Sequence, residues 1–148
     1  IDVGYATEVT ARLREEILRV SSPVCHTAQR ETHLACYRAI YGRYADEVCR
    51  LQDKAGWYEK PLAAGYAAHW ERICTILAEC PPAREIRAML EAVGFDMSAF
   101  ERMYGARKIQ NSIWFGKDLK DRYSVLWLYF ALFFDEREAE GIYETGEL

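Results

Sequence analysis

The residues best equipped for chemistry in this chain are its cysteines and histidines. Cys25-His26, His33 and Cys36 crowd one short stretch, and on a helix His33 and Cys36 share a face at i, i+3. Zinc accepts thiolate and imidazole ligands in such mixtures. The spacing nevertheless fits no common zinc module, and half of the set has to arrive from a loop. Buried cysteines and partly exposed histidines account for these residues without a metal. A nucleophilic Cys–His pair is the second possibility; it requires a base within hydrogen-bond reach and a depressed thiol pKa. His69 and Cys74 stand five apart on one helical pattern and point away from each other. Cys25 and His26 are adjacent, which does not bring their side chains together. The preferred reading is core cysteines and surface histidines. Carboxylates cluster at Glu15-Glu16, at Asp135-Glu136 and at Glu138 with Glu140, all in polar faces or the acidic tail. Solvation explains them without a general acid or base. Neither GxGxxG nor GxxxxGK[ST] occurs, so there is no glycine-rich phosphate loop.

Charge is distributed unevenly. Between Glu101 and Arg122 lie Arg102, Arg107, Lys108, Lys117, Lys120 and Arg122, against Glu101, Asp118 and Asp121. A basic helix end beside a turn can meet a phosphate. The simpler expectation is a solvated face whose Asp118 and Asp121 already pair with neighbouring bases. A net charge of −4 and a pI near 5.5 argue against a nucleic-acid surface. Five cysteines, an odd number without a CxxC pair, point to a reducing compartment and not to a disulfide framework. The N-terminus lacks the basic and continuous apolar regions of a signal peptide. A cytoplasmic setting is expected.

The elements that must position these residues are helical. From Val125 to Phe134 every residue is apolar or aromatic, so no polar stripe remains for water. Such a helix is buried in a protein or a membrane, and the run is about half of the roughly 20 residues a membrane span needs. It reads as the central helix of a bundle, with Ser124 as its N-cap and a cap bond worth about 1 kcal/mol. Upstream, Val9, Leu13, Ile17 and Val20 form a first helical pattern, ended by Ser21-Ser22-Pro23. Leu34, Tyr37, Tyr41, Tyr44, Val48 and Leu51 form a second seam, with Gly42 a possible break and Gly56 in a turn. Leu62, Tyr66, Trp70, Ile73 and Leu77 form a third. Pro81-Pro82 opens a fourth, carrying Ile86, Met89, Leu90 and Val93, and Gly94 sits where a left-handed cap belongs. After a connector from Phe95 to Tyr104, a fifth helix from about Gly105 to Lys117 should bury Ile109, Ile113 and either Trp114 or Phe115. The chain length suits one domain. The expectation is an all-α fold, a single helical bundle of about six or seven helices over residues 1–148.

From Tyr41 onward the order of features resembles the C-terminal helical domain of the glycerol-1-phosphate dehydrogenases, within the superfamily of iron-containing alcohol dehydrogenases and dehydroquinate synthases. The residues that carry it are Pro81-Pro82 with Glu85-Ile-Arg-Ala-Met-Leu-Glu-Ala-Val-Gly94, then Ala106-Arg-Lys-Ile-Gln-Asn-Ser-Ile-Trp-Phe-Gly-Lys-Asp-Leu119, then Lys120-Asp-Arg-Tyr-Ser-Val-Leu-Trp-Leu128. The last segment is similar to the family's turn of a basic residue followed by Asp-Arg-Tyr-Thr, with Ser124 where Thr is usual. The resemblance covers roughly two thirds of the chain. Val3-Gly4 is similar to a pair that follows a metal-binding His-Gly in the family. With no initiator Met and an immediate helical pattern, the chain is expected to be cut from a longer one.

The resemblance implies an oxidoreductase that reduces dihydroxyacetone phosphate with NAD(P)H, a divalent metal (usually zinc) polarising the carbonyl. It also implies a dehydroquinate synthase-like bundle whose partner, an N-terminal nucleotide-binding domain, is absent from this chain. The family's ligands, one Asp and two His, have no matching positions here, and His26, His33 and His69 fall in other segments. No metal, cofactor or catalytic residue is therefore assigned. Asp121, Arg122, Tyr123 and Ser124 are motif positions with a structural role. Without its partner domain the chain is expected to form a homo-oligomer through aromatic side chains of the first two helices. A free-standing helical protein-interaction module is the alternative.

Overall fold

The computed structural model describes residues 2–26, 30–135 and 137, and among them the regular structure is entirely helical. The helices are α1 (Asp2–Leu18), α2 (Arg30–Tyr41), α3 (Ala45–Ala55), α4 (Leu62–Ala78), α5 (Ala83–Ala92), α6 (Met97–Phe115) and α7 (Val125–Phe133), with 3-10 turns at Gly42–Tyr44 and Gly116–Leu119. Two are interrupted: His69 leaves helical geometry inside α4, and Gly105 does so inside α6 with φ 74°. The chain forms two compact units, Ile1–Pro23 with Ala63–Gln110, and Val24–Leu62 with Asn111–Leu148.

In the first unit α1 buries Tyr5, Val9, Leu13 and Ile17 along one face, as its spacing requires. It packs on α5 at Gly4, where an added Cβ would lie 3.0 Å from Leu90 Cδ2 and 3.1 Å from Phe95 Cε2. Trp70 Nε1 on α4 donates to the Val20 carbonyl at 3.3 Å and ties α4 to the end of α1. Pro82 caps α5 from an extended conformation, and Glu15 Oε1 accepts from the first helical amide, Ala83 N, at 2.8 Å. At the other end Gly94 has φ 80°; its N–H bonds to Glu91 O, and that of Phe95 to Leu90 O, at 2.9 Å each. Those two bonds define a left-handed helix terminus of the type glycine favours. The stripe read on α5 is only partly buried, because Met89 and Val93 are exposed.

In the second unit α7 is the interior element. Trp127, Leu128, Tyr129, Phe130 and Leu132 are all buried. Trp114 stacks on Tyr129 with ring centroids 5.3 Å apart, and Phe130 on Phe134 at 4.4 Å. Both Trp114 and Phe115 are buried, where the sequence pattern required one of them. Gly42, with φ 52°, ends α2 and resets the helical phase through the 3-10 turn. Tyr44 therefore swings outward, and Ala45, Val48 and Gln52 take the inner face of α3. Ser124 holds the N-cap position of α7, but its hydroxyl makes no cap bond. Its carbonyl accepts from Trp127 N at 3.1 Å instead, so the expected side-chain cap is absent. No helix among the described residues is long and apolar enough to cross a membrane.

Candidate functional site

The most concentrated polar chemistry in the second unit lies in the turn that feeds α7. Lys117 and Asp118 were expected on a solvated face, yet both side chains are fully removed from solvent. Lys117 Nζ bonds to Asp118 Oδ2 at 2.8 Å and to Tyr58 Oη at 3.0 Å. Tyr58 donates its own proton to Asp118 Oδ1 at 2.7 Å, and Tyr37 donates to Tyr58 Oη at 2.9 Å. The ammonium also sits 3.9 Å from the Phe130 ring centroid and 4.9 Å from that of Trp127. A buried charge is costly unless paired and hydrogen-bonded, and this one is both, with cation–π attraction added. Asp118 does pair with a neighbouring base as expected; the difference is that the pair is interior.

The backbone of the same turn and of the residue before it is held from α2, α3 and the loop after α3. Gln52 Nε2 donates to Asp118 O at 2.8 Å and to Lys120 O at 3.1 Å. Trp57 Nε1 donates to Asp121 O at 3.0 Å, and Tyr41 Oη donates to Phe115 O. Burial and the Asp118 charge push Tyr37, Tyr41 and Tyr58 well above the ordinary tyrosine pKa. Burial lowers the Lys117 pKa, with Asp118 acting in the opposite direction. Neither charged side chain of the pair reaches solvent, so the cluster presents no exposed charge. What it can do is fix the path of the chain from α6 into α7.

The four motif positions surround this cluster without joining it. Asp121, Arg122 and Tyr123 are exposed and Ser124 is half-buried. Asp121 contributes its carbonyl, and the Tyr123 ring lies 5.7 Å from that of Trp57. Of the basic residues, Arg102 pairs with Asp96 at 3.2 Å, and Arg107, Lys108, Lys120 and Arg122 are exposed. Little in the residue pattern marked Lys117 and Asp118 as interior. The one usable signal was their position directly after Trp114-Phe115, in a segment bounded by two apolar runs.

The thiols and imidazoles stay scattered. Cys36 is buried, Cys80 exposed, and Cys25, Cys49 and Cys74 half-buried. Burial raises the Cys25 thiol, which makes it a poorer nucleophile. His26 N donates to Ala131 O at 2.8 Å, His69 is exposed, and the side chain of His33 lies outside the described residues. Among the described residues no three His, Cys, Asp or Glu side chains converge as a metal site. The acidic tail after Arg137 also lies outside the described residues.

A second buried carboxylate was missed in the first unit. Glu8 is 1% exposed, held by Arg12 Nε at 2.9 Å and by Arg87 Nε and Nη2 at 3.2 and 3.0 Å. It lies on the inner side of α1 between Tyr5 and Ala11, both buried. No protein-family model matches the chain, and no curated protein and no solved structure matches it.

Proposed function

We propose that this chain is the helical C-terminal domain of a glycerol-1-phosphate dehydrogenase-like oxidoreductase, with a dehydroquinate synthase-like bundle of six or seven helices. The observation that carries the reading is the ordered set of segments, Pro81 to Gly94, Ala106 to Leu119 and Lys120 to Leu128. The interior Lys117–Asp118 pair supports it, because a turn so heavily anchored is a reason for the surrounding motif to exist. On this reading Asp121, Arg122, Tyr123 and Ser124 shape the entry to the last helix and take no part in hydride transfer. The NAD(P) site and the divalent metal belong to an N-terminal nucleotide-binding partner domain and the segment joining it. This chain then has no hydride-transfer activity of its own.

The test is the coding region upstream of Ile1. A nucleotide-binding domain ending in His-Gly just before Ile1, and dihydroxyacetone phosphate-dependent oxidation of NAD(P)H by the whole protein, are the expected results. Absence of such a domain overturns the reading. A helical interaction module is then the better account, favoured by the exposed Met89 and Val93 on α5, since apolar surface of that kind serves partners.

A further inference from the structure

One buried charge in the first unit has no counter-ion among the described residues. Arg14 is 8% exposed, and its only polar partner among the described residues is the Pro81 carbonyl, reached from Nη2. Its Nε is closed off from solvent and has no hydrogen-bond partner among the described residues. The nearby acids of known partnership on α1 are committed elsewhere: Glu8 to Arg12 and Arg87, and Glu15 to the Ala83 amide. Removing one member of a buried ion pair leaves a strongly unfavourable charge, and an arginine in this position is in that state already. An anion supplied from outside would relieve it.

The surroundings say which anion. Arg14 lines a pocket of about 500 Å³ between α1 and the segment leading into α5, with Ala6, Thr7, Ala11, Pro81 and Ile86. That volume is within the range of small-molecule sites, although the hollow is shallow and wide-mouthed. The walls are mainly apolar, and Arg14 is the one charged side chain among the described residues that line it. Thr7 and Thr10 spend their hydroxyl protons on the carbonyls of Val3 and Ala6, at 2.7 Å each, so they offer an anion no donor. One guanidinium in apolar walls matches one negative charge on an apolar body; a phosphate dianion would bring an unmatched charge into the same walls. We propose that this pocket binds a small monocarboxylate carrying a short apolar chain, its carboxylate seated on Arg14. The inference is independent of the dehydrogenase reading.

Hexanoate is a suitable probe, added to the ¹⁵N-labelled 148-residue chain while the Arg14 Nε–H resonance is followed. That resonance is assigned by its loss in Arg14→Gln. A shift that saturates with hexanoate, and is not reproduced by sodium chloride at equal ionic strength, is expected. The substitution Ala6→Phe, at an exposed position of α1, fills the pocket while leaving Arg14 in place. It should raise the half-saturating concentration at least about tenfold. A shift linear in hexanoate, an equal response to chloride, or an unchanged midpoint in Ala6→Phe overturns the proposal. So does inorganic phosphate saturating at lower concentration than hexanoate, which would make the site a phosphate site.

Discussion

Replacing Lys117 with methionine isolates the role of the interior pair. Methionine keeps most of the apolar stem of lysine and removes only the ammonium. Asp118 is then left fully buried with a charge that only neighbouring tyrosine hydroxyls, Tyr58 at 2.7 Å foremost, can satisfy, since the 2.8 Å bond from Nζ is gone. Breaking a buried ion pair by deleting one partner costs about 3–5 kcal/mol. Against a total stability of roughly 5–15 kcal/mol for a folded domain, that is a large share. With a urea dependence of about 2 kcal/mol/M, the unfolding midpoint should fall by about 1.5–2.5 M. Tryptophan fluorescence reports the event well, because Trp57, Trp114 and Trp127 lie in the same unit and Trp127 flanks the ammonium at 4.9 Å. The double variant Lys117→Met/Asp118→Asn removes both charges and should recover at least about 2 kcal/mol of the loss, a coupling only an interacting pair can show. A single-variant cost below about 1 kcal/mol, or a double variant no more stable than the single, would refute the account.

Other expectations follow from the same geometry. Tyr37, Tyr41 and Tyr58 hold their protons more tightly when folded, so their contribution is intact below pH 10.0, the unfolded value, and is lost as the pH rises past it. Three such protons give a slope of up to about 4 kcal/mol per pH unit, and Tyr37→Phe should flatten it by about a third; urea melts between pH 9 and 12 measure this. Lys117 has the opposite sign: its folded pKa is lowered, so stability rises as the pH climbs from that value towards 10.5, and Lys117→Met should lose that rise in the same melts. Gly94→Ala places a side chain at φ 80° and should cost about 1–2 kcal/mol in thermal or urea unfolding. Ser124→Ala, in contrast, should change stability by less than about 0.5 kcal/mol, because its hydroxyl makes no cap bond. Sedimentation at micromolar concentration should show self-association. Tyr5 and Tyr37 are interior, so the exposed Met89 and Val93 of α5 are better contact residues than the aromatics of α1 and α2.

Where apolar spacing decides the outcome, the sequence was readable. Val9, Leu13 and Ile17 are buried, α7 is interior, and Gly94 and Gly56 adopt the left-handed conformations that end α5 and α3. Each is a local consequence of period or of a missing Cβ. What escaped notice depends on partners distant in sequence. Glu8 is buried because Arg87, 79 residues away, reaches it. Lys117 and Asp118 are buried because Tyr58 is placed beneath them from 60 residues upstream. Charge type alone predicts exposure, and only the tertiary fold reverses that prediction. The cap at Ser124 failed for a related reason: a good capping residue at the right position need not turn its hydroxyl inward.

Both compact units are assembled from two separated stretches of chain, 1–23 with 63–110 and 24–62 with 111–148. During synthesis, therefore, the first unit waits for residues 63–110 and the second for residues 111–148 before either can close. Tyr58 leaves the ribosome 60 residues ahead of Asp118, an interval of about 3–12 s at roughly 5–20 residues per second. Throughout it Trp57 and Tyr58, in the loop after α3, have no Trp127 of α7 to pack against. A chain stopped after Gln110 would hold every segment of the first unit and leave the second with half of its own. The nascent protein thus carries a built-in period of stickiness, set by connectivity more than by composition, in which a holding chaperone or a nearby copy would find it most receptive.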